Sequence, residues 1–365
     1  MSPTVQLTSQ TLVFPDDGKH RGAEETPKWL SDTVLKLEQP ETYCIFWDTA
    51  FLRSIRSEDW EELLIQLHLK PRPYLREYQF DLSRFEGRDF DTVLNRIHSL
   101  FEQSTLTSSA LSGKNAIQKI SFRGLTSRLG SALSSLPPSV IEVELHFVEE
   151  GIPLDPEEAV QSERSRATRI GNIIQQYVAP QEALTSVVIK YDENAEDFLP
   201  ISSFALASLM RCEVLSSITM ERCHIMADLE NIASDLYEMP PEQAVFEALR
   251  DNTSLFLLRS RNGEIDASIA ESIARALELG NRSLQYLDLG NNEGVSDTVG
   301  AAVTKAILRN PVMQGLELNL NNIQGMSKID DRKTHRDFPI THQFRPICRL
   351  WMVLPFQPYL YGYFG

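Results

Sequence analysis

Apolar and polar positions recur in register near the C-terminal end of this chain. One unit comprises Leu284, Leu287, Leu289 and Asn292, and the next, 29 positions later, comprises Met313, Leu316, Leu318 and Asn321. A unit 29 positions earlier keeps Leu255 and Leu258, with Ser260 and Gly263 in the remaining places. A period of about 20 to 50 residues is typical of solenoids, in which each unit covers the apolar face of its neighbour.

Each unit is predicted to be a strand followed by a helix. The alternation in Leu287-x-Leu289 has period 2, so both leucines face the core from a short strand. Between the strands, apolar residues recur every three to four positions, as on one helix face. They are Ile269, Ala270, Ile273, Ala274 and Leu277, then Val299, Gly300, Val303, Ala306 and Ile307. A buried amide such as Asn292 can satisfy backbone N–H and C=O groups inside stacked turns.

This pattern resembles the leucine-rich repeat family, and a period near 29 with a full helix per unit resembles its ribonuclease-inhibitor-like subfamily. The resemblance implies an α/β solenoid, a horseshoe with parallel strands on the concave face and helices on the convex face. That family accepts cysteine at the asparagine position, which Cys223 occupies after Leu215, Ile218 and Met220. The match is strong over residues 252–325. Weaker units start at 75, 117, 140 and 184, which predicts an irregular N-terminal half.

The pattern divides the chain into three parts. Residues 1–40 are interpreted as a polar N-terminal arm, and residues 41–325 as the repeat array, clearest over 184–325. Residues 326–365 are interpreted as an irregular basic and aromatic tail, with prolines at 346, 355 and 358. The tail is either a cap over the last repeat or an appended extension, as from a mistaken gene model. The extension is favoured, because residues 321–325 begin a loop that normally leads into another helix.

Local signals add two expectations about element boundaries. Residues 88–102 carry apolar residues at helical spacing, and the Ser- and Thr-rich residues 104–112 are predicted to form a loop. Pro240 and Pro241 are expected to interrupt a helix, because the residue before a proline disfavours the α conformation. They account for the 40 residues that separate the strand starts at 215 and 255.

The composition of the chain restricts the cellular compartments and the classes of partner that we expect. A formal charge of −16 over 365 residues disfavours nucleic acid and anionic membranes, whose phosphates need Lys and Arg. A protein partner with a basic surface is one reading, and a charge that only keeps the protein soluble is the other. No secretory signal or long apolar segment is visible, and four scattered cysteines indicate a reduced cytoplasmic or nuclear setting. The oligomeric state is left open.

Candidate chemistry is sparse. Cys212, Cys223 and His224 lack the paired spacing that zinc usually requires, so no metal is expected. No phosphate-binding glycine loop and no nucleophile motif is present, so neither a cofactor nor catalytic residues are assigned. Asn252 and Asn281 head glycosylation motifs, but they share one repeat position and are expected to stay unmodified.

The repeat pattern instead places a candidate partner-binding site on the outward strand positions. The candidate residues are Arg259, Arg261, Tyr286, Asp288, Glu317 and Asn319. Arg259, Asp288 and Glu317 are predicted to share one column of neighbouring strands, where they either pair as a surface salt-bridge ladder or anchor a partner. The favoured function is a non-enzymatic protein-interaction module. The alternative is a regulator of an enzyme, such as a small-GTPase-activating protein with similar repeats.

Overall fold

A computed structural model describes residues 6–8, 11–14, 44–69, 75–83, 90–110, 117–125, 132–148, 156–226, 240–292 and 295–318. The chain divides into two compact units, Met1–Pro200 with Val214–Ile218, and Ile201–Glu213 with Thr219–Gly365. Both units alternate parallel strands with helices. Asn319, Asn321 and the tail 326–365 lie outside the described residues, so the predictions made for them stay predictions.

The first unit is built on parallel strands joined by helices. Its strands are β1 (Gln6–Thr8), β2 (Thr11–Phe14), β3 (Cys44–Asp48), β4 (Glu77–Asp81), β5 (Lys119–Leu125), β6 (Glu142–Phe147) and β7 (Ser186–Tyr191). Its helices are α1 (Thr49–Ser54), α2 (Ser57–Leu69), α3 (Phe90–Ala110) and α4 (Pro156–Ile173), and a π-helical turn, Ile174–Val178, follows α4. β1 and β2 are antiparallel, and each later strand pairs in parallel with the next. β1 and β2 lie within residues 1–40, where the sequence pattern predicts a polar arm and no strand.

Two in-register rows of apolar side chains form the core beneath this sheet. The rows are Ile45, Tyr78, Ile120, Val143 and Val187, and Trp47, Phe80, Phe122, Leu145 and Ile189. All ten residues are at most 2% exposed. The Phe80 and Phe122 rings stack with centroids 5.1 Å apart. The period-2 positions that the sequence assigned from residue 75 onward are therefore core positions.

Helix α3 extends further than predicted. The Ser- and Thr-rich composition predicts a loop at residues 104–112, whereas residues 104–110 continue the helix. The hydroxyl groups of Ser104 and Thr105 donate to the carbonyl oxygens of Leu100 and Phe101, at 2.7 and 2.9 Å. Such bonds to the preceding turn satisfy polar side chains inside a helix, and the burial of Leu100 and Phe101 anchors this segment.

The chain continues with the elements β8 (Leu199–Ser202), α5 (Ser203–Met210), β9 (Ser217–Glu221), β10 (Cys223–Met226), α6 (Pro241–Asp251), β11 (Leu257–Arg261), β12 (Glu264–Ile265), α7 (Ala267–Leu279), β13 (Tyr286–Asp288), α8 (Asp297–Arg309) and β14 (Gly315–Glu317). Within the second unit, β11, β13 and β14 are parallel neighbours, as are β10 and β12. Helices α5 to α8 pack successively side by side. Helix α6 begins at Pro241, where the sequence predicted an interruption.

The buried faces of α7 and α8 are those that the repeat pattern predicted. Ile269, Ile273 and Leu277 are fully buried in α7, and Val299, Val303 and Ala306 are at most 1% exposed in α8. Leu284, Leu287 and Leu289 are buried as well. Leu316 and Leu318 were predicted to be buried but are only partly so. They lie at the edge of the described sheet, where no further described strand follows.

Asparagines in equivalent positions connect successive repeats. Asn252, Asn281 and Asn310 are buried, and each amide nitrogen donates to a carbonyl near the end of the preceding repeat's helix. These bonds run to Met210, Leu249 and Leu277, at 2.6, 2.7 and 2.8 Å. Carbonyl groups in the last turn of a helix lack intrahelical partners, so each asparagine supplies a donor to such a carbonyl, although the Leu249 carbonyl also accepts from Asn252 N at 3.3 Å. The glycosylation motifs at 252 and 281 therefore have a structural use.

The second repeated asparagine position, at the end of the strand, also forms hydrogen bonds with the backbone. The Asn292 amide nitrogen donates to the carbonyl oxygens of Ser260, Leu289 and Gly290, at 2.7, 2.8 and 3.4 Å. Cys223, placed at this position by the sequence analysis, is fully buried, and its thiol donates to the Glu221 carbonyl at 3.5 Å. Burial raises the pKa of the Cys223 thiol, which keeps it a neutral packing group.

Candidate interaction site

The outward face of β11, β13 and β14 brings most of the candidate partner-binding residues together. Arg259 pairs in register with Asp288, and Asp288 with Glu317, as the sequence predicted. Leu257, Tyr286 and Gly315 form the parallel row two residues earlier. Because the strands are parallel and about 4.8 Å apart, these side chains form a compact array on a rigid backbone.

Four of these residues form an ion-pair network that we name the arginine–aspartate cluster: Arg259, Arg261, Asp288 and Glu317. Arg259 Nε donates to Asp288 Oδ2 at 2.9 Å, and Arg261 Nε lies 2.5 Å from the same oxygen. Arg261 also pairs with Glu317. Of the ladder that the sequence left as one alternative for Arg259, Asp288 and Glu317, the structure contains the pair of Arg259 with Asp288. Glu317 pairs instead with Arg261, which lies two residues beyond that column on β11.

Burial distinguishes the members of the cluster. The Asp288 side chain is 6% exposed, whereas those of Arg259 and Arg261 are 42% and 35% exposed. A buried carboxylate needs opposite charge and hydrogen bonds, which the two arginines and the Gly290 N–H, 3.1 Å from Asp288 Oδ1, supply. The close ion pair with Asp288 raises the pKa of Arg261. Asp288 thus positions the arginines and offers little surface to a partner.

An aromatic pair lies beside the cluster. Phe256 and Tyr286 have ring centroids 5.0 Å apart and are 41% and 38% exposed. The Tyr286 hydroxyl donates to Gln314 Oε1 at 3.0 Å. A Cβ on Gly315 would lie 2.7 Å from Tyr286 Cδ1, so glycine leaves room for the ring. Phe256 is not among the residues predicted to bind a partner, although Phe256, Gln285 and Gln314 occupy the same position in the 29-residue register.

The turn after each strand has its own polar connections. Arg222, Asn262 and Asn291 adopt positive φ values of 56°, 55° and 56°. Asparagine tolerates this left-handed region better than most residues. The Asn291 amide donates to Asn262 Oδ1 at 3.0 Å, and the Asn262 amide donates to Glu221 Oε1 at 3.3 Å. These bonds fix the loops that border the outward strand face.

One group of side chains in the second unit combines potential metal ligands. Ligand atoms of His224, Glu264 and Asp266 all lie within 4.8 Å of one another. The sequence suggests a different set, His224 with Cys212 and Cys223, because β10 and β12 become neighbours only in the fold. His224 Nδ1 lies 3.7 Å from Glu264 and Nε2 lies 3.4 Å from Asp266. A single ion can take only one ring nitrogen, so this geometry fits an imidazole held between two carboxylates.

The outward positions of the first unit are also charged. Lys119 Nζ lies 2.9 Å from Glu142 and 3.4 Å from Glu144, and Lys190 donates to Glu144 at 2.7 Å. Burial alone would raise the pKa of Glu144, but the hydrogen bond and the charge of Lys190 together lower it.

Within the described residues, no helix is long and apolar enough to cross a membrane.

Comparisons with known proteins add little to this description. No protein-family model matches the chain, and no curated protein matches it in sequence. Among solved structures, a chain from the crystal structure of the Rad7 and Elc1 complex in yeast aligns with a TM-score of 0.35 and 11% identity. The alignment covers 88% of this chain and 79% of that chain. At these values the likeness carries no argument about function.

Proposed function

We propose that this protein is a non-enzymatic interaction module that binds a protein partner through the outward strand face of its second unit. The observation that carries the proposal is the arginine–aspartate cluster beside the exposed aromatic pair. Arginine and tyrosine are enriched among residues that dominate binding energy at interfaces. Ion pairs and ring contacts already hold these side chains, so binding immobilises few rotamers.

The repeat type is inferred from the repeat register, and the compartment from the few scattered cysteines. We propose that the units belong to a leucine-rich-repeat solenoid with a horseshoe shape and that the protein acts in the cytoplasm or nucleus. The register of 29 residues and the parallel pairing of β11, β13 and β14 support the solenoid. The alternative role as a small-GTPase-activating protein stays a prediction. Single-turnover GTP hydrolysis by a candidate GTPase, with and without this protein, would test it.

The proposal is tested by capture of partners on the full-length chain, followed by mass spectrometry. Arg259→Gln combined with Tyr286→Ala should remove the specific partner, because both changes act on the outward strand face. Arg309→Gln is the matched control, since Arg309 pairs with Glu278 on the helices of the same unit. Unchanged circular dichroism would show that each variant is folded. Partner loss with Arg309→Gln, but not with the strand-face variant, would contradict the proposed binding face.

A further inference from the structure

The arginine–aspartate cluster presents unequal charge to the solvent. Asp288 is 6% exposed below the two arginines, while Glu317 is 33% exposed and pairs with Arg261. The hydrogen bond from Arg259 to Asp288 uses Nε, one of five guanidinium N–H donors. Two partly exposed guanidinium groups therefore face the solvent with one partly exposed carboxylate. Guanidinium groups bind carboxylates in a planar fork, so an acidic group is the complementary ligand.

The aromatic pair lies at a fixed spacing from the cluster. Tyr286 pairs with Leu257, and two residues further along the same strands Asp288 pairs with Arg259. At about 3.3 Å per residue, the two rows are about 7 Å apart. Side chains i and i+2 of an extended peptide point the same way with this same spacing. One face of an extended segment can therefore contact both features at once.

We propose that this face binds an extended acidic peptide segment of the partner. An aspartate or glutamate of the segment contacts Arg259 and Arg261, and an apolar side chain two positions away packs on Phe256 and Tyr286. The inference rests on the proposed function and adds the chemistry of the ligand. It reverses, for this face, the basic partner expected from the net charge of −16. The net charge sums the whole chain, whereas recognition depends on the few groups within contact distance.

The test is selection of random peptides from a display library on the full-length protein. Enriched peptides should carry an aromatic or aliphatic residue two positions from an aspartate or glutamate. The best peptide, made synthetically, should bind at least about tenfold more weakly when its acidic residue becomes glutamine, since one charge-assisted contact is worth about 1.5 kcal/mol or more. Its affinity should also fall as NaCl increases, because salt screens exposed charge.

Protein variants separate this inference from the proposed function. Arg259→Gln with Arg261→Gln should weaken the acidic peptide about as much as the peptide change does, whereas the control Arg309→Gln should not. Should the double variant fold poorly, the peptide substitution still gives the answer on the wild-type protein. If the enriched peptides are basic or uncharged and Tyr286→Ala weakens their binding, the acidic ligand is overturned, whereas the proposed binding face is supported. Peptides whose affinity is unchanged by every strand-face substitution would overturn both the acidic ligand and the proposed binding face. If no peptide is enriched at all, the peptide ligand is rejected.

Discussion

Replacing Asn281 with alanine should destabilise the second unit, because this fully buried side chain forms hydrogen bonds with four backbone groups, of which the Asn252 carbonyl oxygen, at 3.3 Å, is the most distant. Its amide nitrogen donates to Leu249 O at 2.7 Å, and its oxygen accepts from Ser283 N at 3.2 Å and Leu284 N at 2.9 Å. Leu249 O also accepts from Asn252 N at 3.3 Å, so it would be only partly orphaned. A buried polar group without a partner costs about 1 to 3 kcal/mol.

We therefore expect Asn281→Ala to lower the free energy of unfolding by about 2 to 4 kcal/mol. Urea denaturation followed by circular dichroism measures this loss, and hydrogen exchange at the Leu284 amide tests its local cause. Asn194→Ala is the control, because Asn194 is exposed and its amide bonds only locally, to Asp192. It should change stability by less than about 0.5 kcal/mol. A loss from Asn281→Ala as small as that of the control would refute the reasoning.

The substitution Asn281→Asp tests the direction in which stability changes with pH. The aspartate can still accept from Ser283 N and Leu284 N, but its carboxylate faces the Leu249 oxygen and is buried. Burial of a charge raises a carboxyl pKa, so the protonated form is favoured in the folded state. Stability is then retained below the unfolded pKa and lost as pH rises through the folded pKa. The free energy of unfolding of the variant should be closer to that of the wild type at about pH 4 than at about pH 8, and the opposite trend would contradict this account.

Two further predictions concern burial and charge. Leu287→Ala should lower the free energy of unfolding, measured by urea denaturation, by about 2 to 5 kcal/mol. Leu316→Ala should lower it by only about 1 to 2 kcal/mol, because Leu316 is half-buried. Equal losses would show that burial does not distinguish the two leucines. The depressed pKa of Glu144 beside Lys190 contributes stability above its unfolded pKa that is lost as pH falls through the folded pKa. Lys190→Gln should therefore destabilise the protein more at about pH 7 than at about pH 3 in the same assay, and a pH-independent loss would contradict this.

The sequence predicted the site only in part, and particular residues show why. The register placed Arg259, Asp288 and Glu317 in one column, because strands with equal repeat length pair without offset. It gave all three the same outward direction and therefore treated Asp288 as a contact residue. Burial of Asp288 depends on the two arginines that cover it, one directly opposite and one from further along β11. The contact between Phe256 and Tyr286 likewise requires the glycine at 315 on the third strand.

The sequence by itself determined the repeating unit, because a short strand and an amphipathic helix expose apolar faces that only equivalent neighbours can cover. That requirement is visible in the spacing of the leucines and of the helix positions, and in the first unit it is visible as the two core rows that contain Tyr78 and Phe80. Tertiary structure alone decided the polar contacts that do not follow the repeat register. His224 meets Glu264, and the Asn281 amide meets the backbone carbonyl of Leu249, although the members of each pair come from different repeats. Local periodicity holds no information on how long or how bulky the facing side chains are.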